Sequence, residues 1–577
     1  MCGWVFDSEV YKNFYLIAFM SNKGDVLKFR APFSAEDRKQ IRSILQKDTV
    51  IGFNSLNYDL PLLTQALRGD SEAEIKRSSD KIIQNNLRWW QSGDLPEFVR
   101  HIDLIEVAFG KASLKIYGGR LNSKRMQSLP THFDKVLTED EKNLIEEYCV
   151  NDLQVTALLA RNLRQQLAIR KEMSKIYGVD LMSKSDAQIA EAVIKQKLNT
   201  SKRIVEPGYE FKYAPPKWLR FKSKDLKDAF AVICDTDFVV TETGKVKLPD
   251  EIKTVEVGGK DYKMGIGGLH SMEKKCHHLE TDDVVISDHD VASYYPSIIL
   301  NEGLFPEHLG DEFLVVYREI VEERLKAKKD GDKVTADTLK IVINGSFGKF
   351  GSKYSVLFAP EMLIQVTLTG QLALLMLIDL LEYHKIPVVS ANTDGIVLAC
   401  PVDRIGLRDR IIKKWETVTG FVTEETRYKG LYSRDVNNYL AVKEDGAKGK
   451  GIFAKPSMAK NTQHPIVFEA VAKHLANGDD LEEVIRGCED VSKFCCIRTV
   501  KGGALSADGV ELGSAIRWYY SVDSTGPITY AVNGNKVPQT DGAVAMMELA
   551  EEVPSDMDYQ WYVDTAKGVL ADVGIST

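Results

Sequence analysis

The sequence predicts a multidomain chain of α/β and α+β class. Three observations lead there. At 577 residues the chain is too long for one hydrophobic core, so three or more structural units are expected. Roughly the first 170 residues alternate strand-like and helix-like segments. From residue 284 onward a strand is followed by long helices, a strand–turn–strand hairpin and a strand-rich tail. Hydrophobic content of 44% and charged content of 27% are ordinary for globular proteins. A net charge of −8 neither favours nor excludes nucleic acid, because carboxylate-rich metal sites can offset local basic grooves.

Taken in order, WVFDSEV, FYLIAFM and DVLKFR read as a strand meander. TVIGF is a short buried strand with a helix from about Leu60, and HIDLI is a further strand. Thr138-Glu-Asp-Glu141 is a capping-box pattern that opens a helix expected to reach Lys171. Residues 200–280 mix prolines, aromatics and lysines and read as a connecting region with a basic surface. VVISDHD (284–290) is a strand, 311–329 a helix broken at GDK, TADTLKIVINGSFG the start of a second helix, and 361–385 a long buried one. PVVSANTDGIVLACP reads as strand, tight turn, strand, with Asn392-Thr-Asp-Gly395 at the turn. A last helix is expected near 557–571.

The eight cysteines form no CxxC pair, which suits a reduced, intracellular protein. Cys276-His277-His278 has no second half of matching spacing, so zinc is not expected. Asp7 and Glu9 interrupt the start before any secretory core could develop. The longest apolar run, 372–381, is too short to span a bilayer and contains Asp379; no membrane contact is expected.

Two sets of acidic residues stand out. In the first, Asp7 and Glu9 share one face of a strand by period-two geometry. Asn54-x-x-x-Tyr58-Asp59 follows the next strand, and Tyr148 and Asp152 share a helical face four residues apart. Four carboxylates gathered from different elements would repel one another, and hard divalent cations, Mg²⁺ or Mn²⁺, are their natural counter-charge. Two such ions activate a water and stabilise the leaving oxygen of a phosphodiester; Tyr148 would orient that water. In the second set Asp290 ends a strand and Asp394 sits at the hairpin turn. Paired strands would bring these two together around two ions suited to nucleotidyl transfer. Lys340, Asn344 and Phe347 share one helical face between them, and Arg324 and Lys328 share a face on the preceding helix, a cationic clamp for phosphate.

The first set resembles the three exonuclease motifs of family B DNA polymerases, D-x-E, N-x-x-x-[FY]-D and Y-x-x-x-D. The second resembles the polymerase motifs of that family: DVASYYPS is similar to D-x-x-S-L-Y-P-S, KIVINGSFG to K-x-x-x-N-S-x-Y-G, and NTDG to D-T-D-S. The resemblance runs from Asp7 to about Lys460, six motifs in order. It implies an RNase H-like 3′→5′ exonuclease domain at 1–180, then a connecting region and N-terminal part of the palm at 181–280. A right-hand polymerase follows: palm at 281–305 and 353–430, fingers at 306–352, and thumb and C-terminal region at 431–577. It further implies metal binding by Asp7, Glu9, Asp59 and Asp152 in one site, and by Asp290, Asp394 and the Val291 carbonyl in the other, two Mg²⁺ (or Mn²⁺) each. Asn54 would contact the single-stranded DNA 3′ end, and Lys124 is a candidate for the family's lysine near the scissile phosphate. Tyr295 would be the steric gate that stacks under deoxyribose and excludes a 2′-OH. Lys340, with Arg324 and Lys328, would meet the triphosphate, and Asn344 would line the nucleotide pocket. Gly267 and Gly268 in GIGGLHS would let backbone approach the template; Asn438, Tyr439, Lys448 and Lys450 would grip the primer duplex.

Three departures stand out: Asn392 for the first aspartate of D-T-D-S, Gly395 for its serine, and Phe347 for the tyrosine of the second motif. Fifty residues separate Asp290 from Lys340 and 48 separate Asn344 from Asn392, which leaves no room for the insertions of protein-primed phage members. A compact, phage-type replicative polymerase is expected. It would extend an ordinary primer with dNTPs on primer–template DNA, as a monomer in the (host) cytoplasm, with a processivity or helicase partner. The alternative is a 3′→5′ exonuclease whose degenerate polymerase half serves as a DNA-binding platform. A non-catalytic scaffold and an RNA-synthesising enzyme are the remaining readings, and Tyr295 speaks against the last.

Overall fold

The computed structural model describes residues 3–98, 100–198 and 202–576, and the chain divides into two units of mixed α/β character. Met1–Ser185, Pro456–Ile466 and Ile485–Tyr562 form the first; Asp186–Lys455, Val467–Val484 and Val563–Thr577 form the second. The stretch 431–577, expected as one region, is therefore shared between them.

In the first unit, alternation in WVFDSEVY produces the middle strand of a five-stranded sheet. The strands are β1 (Trp4–Tyr11), β2 (Phe14–Ser21), β3 (Val26–Arg30), β4 (Thr49–Gly52) and β5 (Arg100–Asp103), in the order β3-β2-β1-β4-β5. β1 runs antiparallel to β2 and parallel to β4, which is parallel to β5. Period two sends Val5 and Tyr11 into a core with Ile145, Cys149 and Leu153 of the helix Glu139–Asn162. Phe6 and Val10 enter the opposite core, with Leu60, Leu63 and Ile75. Both faces of the sheet are thus covered, and the acidic positions of β1 lie on the side of the long helix.

That helix opens on the expected capping box: the Glu141 N–H donates to Thr138 Oγ1 at 3.3 Å and the Thr138 N–H to Glu141 Oε2 at 3.0 Å. It does not run unbroken to Lys171. It ends at Asn162, and a second helix spans Arg164–Tyr177. The chain turns at Leu163, which is buried with Leu159 and Leu167; packing, with no proline or glycine at the turn, sets the break. The later part of the unit is a sheet built on the hairpin Cys496–Leu505 and Glu511–Tyr520. Its fully buried Arg517 donates to the carbonyls of Met546 (2.8 Å) and Ser123 (3.0 Å), which satisfies a charge that could not otherwise be buried.

In the second unit, residues 202–280 are more regular than the connecting region expected there. They contain a helix, Lys224–Asp235, and a three-stranded sheet within 254–271. The central sheet orders the strands Val388–Asn392, Gly395–Pro401, Val284–Val291 and Thr423–Tyr428, all antiparallel neighbours. Against it lies the helix Pro360–Tyr383, started by a proline in its first turn. This is the one helix among the described residues long and apolar enough to cross a membrane, which the ten-residue run alone did not suggest; 83% of its most apolar window is buried inside the protein. Its Asp379 carboxylate accepts from the backbone N–H groups of Lys222 and Ser223, where it caps the start of Lys224–Asp235. Helices Glu312–Lys329 and Lys333–Phe350 form an antiparallel pair joined at GDK.

Two candidate carboxylate centres

The first centre forms where β1 outruns β4. Their pairing stops at Val5 and Ile51, so Asp7 and Glu9 project past the carboxyl end of β4, the place where parallel strands present ligands. The chain leaving β4 is then held by Asp103 at the end of β5. Its carboxylate accepts from the N–H groups of Asn54 (2.7 Å), Leu56 (3.0 Å) and Ile105 (3.2 Å). Asn54 takes the left-handed conformation at φ 59°. The loop ends at Asp59, the first residue of a helix, and Ser8 Oγ donates to Asp59 Oδ1 at 2.5 Å. Asp152 and Tyr148 come in from Glu139–Asn162. One ligand atom each of Asp7, Glu9 and Cys149 lies within 4.8 Å of the others.

The electrostatics follow from crowding. Burial and then the charges of Asp59, Asp152 and Glu9 push Asp7 well above the usual carboxylate range. Burial and Asp152 do the same to Glu9, while Lys115 pulls it back. Burial raises Asp59 to about 7 and Asp152 to about 6. Burial and the Asp152 charge raise the Tyr148 phenol, which stays neutral and able to donate. The lysine at this centre is Lys115, whose Nζ lies 4.7 Å from the Tyr148 ring centroid. Lys124, the sequence candidate, is exposed and pairs with Glu551 at 3.4 Å. At this centre Lys115 and Asp103 are the residues that sequence reasoning missed. Asp103 lay in plain view in HIDLI, at the end of a parallel strand beside the loop it holds.

The second centre is set by strand register. Asp290 faces Gly395 across the antiparallel pair, and the Val291 N–H donates to the Asp394 carbonyl at 2.7 Å. A Cβ at position 395 would stand 2.1 Å from Asp290 Oδ1, so the carboxylate rests where the serine of D-T-D-S would carry its side chain. Burial, then the charges of Asp288 and Asp394, raise Asp290 to about 6. Asp288, two residues back on the same face, accepts from the Tyr428 hydroxyl. These three carboxylates line a cleft of about 290 Å³ together with Asn392, Tyr439, Lys448 and Lys450. Lys450 Nζ lies 5.7 Å from the Tyr439 ring centroid. Asn438 is turned elsewhere: its amide donates to Asp435 and its oxygen accepts from the Ile452 N–H, closing the adjacent hairpin.

Tyr295 is the second residue of a short helix, Tyr294–Asn301, next to Asp290. Its ring lies 4.3 Å from that of Phe347, and its hydroxyl donates to the Gly267 carbonyl at 3.2 Å. Gly268, at φ 136°, sits so close that a Cβ would meet Thr393 Cγ2 at 2.7 Å. Gly267, Gly268, the hairpin turn and Tyr295 therefore converge. Arg324, Lys328, Lys333 and Lys340 line a second cleft of about 340 Å³ between the two antiparallel helices. Arg324 Nη1 donates to Ser293 Oγ at 3.0 Å, and Lys328 lies 3.8 Å from Glu424. Asn344 is exposed one turn beyond Lys340. Chemically, both centres can hold hard cations, and the second adds a rigid aromatic wall and cations suited to phosphate.

No protein-family model and no curated protein matches the chain. Among solved structures it is similar to the family B DNA polymerase from the hyperthermophilic archaeon Pyrobaculum calidifontis. The identity is 14%, over 99% of this chain and 77% of that one, with a TM-score of 0.41.

Proposed function

We propose that the chain is a template-directed DNA polymerase of the compact phage type that adds dNTPs to a primer 3′-OH, with a 3′→5′ exonuclease that proofreads. The observation that carries this reading is the register at Asp290 and Gly395, which puts Asp290 and Asp394 into one cleft with Lys448 and Lys450. The residues fit a pair of Mg²⁺ or Mn²⁺ ions: Asp290, Asp394 and the Val291 carbonyl would hold them, and the burial and neighbouring negative charge that together raise Asp290 are what a cation would offset. When bound, the ions would lower the pKa of the primer hydroxyl and neutralise the leaving pyrophosphate. Tyr295 is clamped by Phe347 and Gly267, so its ring presents a fixed floor to the sugar and a barrier to a 2′-OH. Lys340, Arg324 and Lys328 bind the triphosphate; Lys448, Lys450 and Tyr439 hold the primer strand. In this reading the first unit carries the RNase H-like fold, and the second carries palm and fingers. Asp7, Glu9, Asp59 and Asp152 hold the exonuclease ions, Tyr148 donates to the attacking water, Lys115 meets the scissile phosphate, and Asn54 orients the strand end. Gly395 is the residue that gives Asp290 its seat, which removes one motive for reading the polymerase half as degenerate. Primer extension on a primed template with Mg²⁺, with and without dNTPs, tests both activities. Elongation with dNTPs and shortening without them are expected; an unextended primer with dNTPs present would refute the polymerase.

A further inference from the structure

Beyond the helix Glu72–Asn85 the chain makes an unusual choice. Asn86 turns through the left-handed conformation, and Leu87 packs into the core below, as do Leu95 and Phe98 further along. Between these anchors rises a one-turn helix, Trp89–Ser92, whose two tryptophans stay outside: Trp89 is 38% exposed and Trp90 65%. Leu87 and Leu95 are partly buried against the core while the two largest apolar side chains meet water, the reverse of what burial alone favours. The rings meet edge to face, with centroids 5.8 Å apart and planes at 88°, so each stiffens the other and Trp90 keeps an open face. The turn is joined to the first centre by hydrogen bonds. The backbone N–H of Trp89 donates to Asn57 Oδ1 at 3.2 Å, and Asn57 Nδ2 donates to Asn54 Oδ1 at 3.2 Å. Asn57 stands two residues before Asp59. Arg88, exposed beside the tryptophans, adds a positive charge.

We infer that Trp89 and Trp90 form a stacking platform for the bases of a single-stranded DNA whose 3′ end enters the first carboxylate centre. The inference rests on the 3′→5′ exonuclease reading of that centre. An aromatic face takes any base, which suits a site that must accept an end of any sequence, and Arg88 is placed to meet a phosphate of the same strand. The polar Asn54–Asn57 link couples the platform to the loop that carries Asp59, so a stacked strand and the hydrolytic centre share one rigid segment.

The test uses the full chain and a short fluorescent oligothymidylate. Affinity is measured in EDTA, where nothing is digested, and digestion is then followed with Mg²⁺ and with Mn²⁺. Trp90→Ala is expected to weaken binding about tenfold or more and to raise KM for digestion with kcat little changed. Trp90→Phe keeps a ring and should stay within about twofold of the wild type. Because Trp90 is exposed, neither change should disturb folding, which a melting curve checks. Binding by Trp90→Ala equal to the wild type overturns the inference, even where the wild type digests the strand. Equal losses in Trp90→Ala and Trp90→Phe also overturn it, since the ring would then not be the cause. Binding that depends on the Trp90 ring without digestion in either metal upholds the platform and refutes the exonuclease reading instead.

Discussion

Asp59→Asn removes one charge from four crowded carboxylates, and in the metal-free protein that removal should stabilise. Burial raises Asp59 from 3.8 to about 7. Each unit corresponds to about 1.4 kcal/mol, so holding Asp59 ionised in the folded state costs about 4 kcal/mol if it carries the whole burden, and about 2–4 kcal/mol when the neighbours share it. The sign follows from the direction of the shift. A carboxyl raised by folding favours the protonated form, so its stabilising contribution is complete below its unfolded value and is lost as pH rises through the folded one. The penalty is therefore largest above about pH 7 and absent near pH 4. Asparagine keeps an oxygen to accept from Ser8 and gives up only the charge. Differential scanning calorimetry in EDTA near pH 8 should show Asp59→Asn melting about 5–10 °C above the wild type, with the gap closing near pH 4. Mg²⁺ should raise the wild-type midpoint near pH 8 by more than it raises the variant's. An Asp59→Asn protein no more stable than wild type in EDTA, together with a wild type indifferent to Mg²⁺, would refute the reasoning.

Three more expectations follow from named contacts. Tyr295→Ala should admit ribonucleotides while Tyr295→Phe, which loses only the bond to Gly267, should keep discrimination; an unchanged rNTP/dNTP ratio in Tyr295→Ala removes the steric gate. Gly395→Ala places a Cβ 2.1 Å from Asp290 Oδ1 and must move that carboxylate by about 1 Å, so incorporation should fall about tenfold or more at an unchanged melting point and an unchanged rate of digestion. Full incorporation by this variant would show that Asp290 does not need its observed seat. Lys115→Ala removes the charge that pulls Glu9 and Asp152 down, so digestion should slow and its acidic pH limb should move upward, whereas Lys124→Ala should leave both unchanged. A reversed pattern in a pH–rate profile would return the role to Lys124.

The sequence was most legible where function and local geometry share a period. Asp7 and Glu9 on one strand face, Tyr148 and Asp152 one helical turn apart, the Thr138 capping box and the Asn392–Gly395 turn are all local patterns, and the structure carries each as read. What was not legible is what tertiary contact decides. Lys115 reaches Tyr148 across 33 positions, and Asp103 holds a loop 49 positions earlier, so neither spacing announces itself. The helix break at Leu163 comes from buried leucines, without any residue that punctuates a helix. Gly395 looked like a lost serine; only the cross-strand register reveals that Asp290 occupies the space. Likewise, nothing in 485–562 signals that it groups with the first unit, where Arg517 reaches the carbonyls of Ser123 and Lys124.

The proposed function requires two independent acidic centres doing two different jobs on phosphodiesters. The most direct measurement compares extension and digestion of one primed template by Asp290→Asn and by Asp7→Ala beside the wild type, in Mg²⁺. Asp290→Asn should stop elongation and still shorten the primer, and Asp7→Ala should elongate without shortening. Loss of both activities in either variant, or of neither in both, would contradict it.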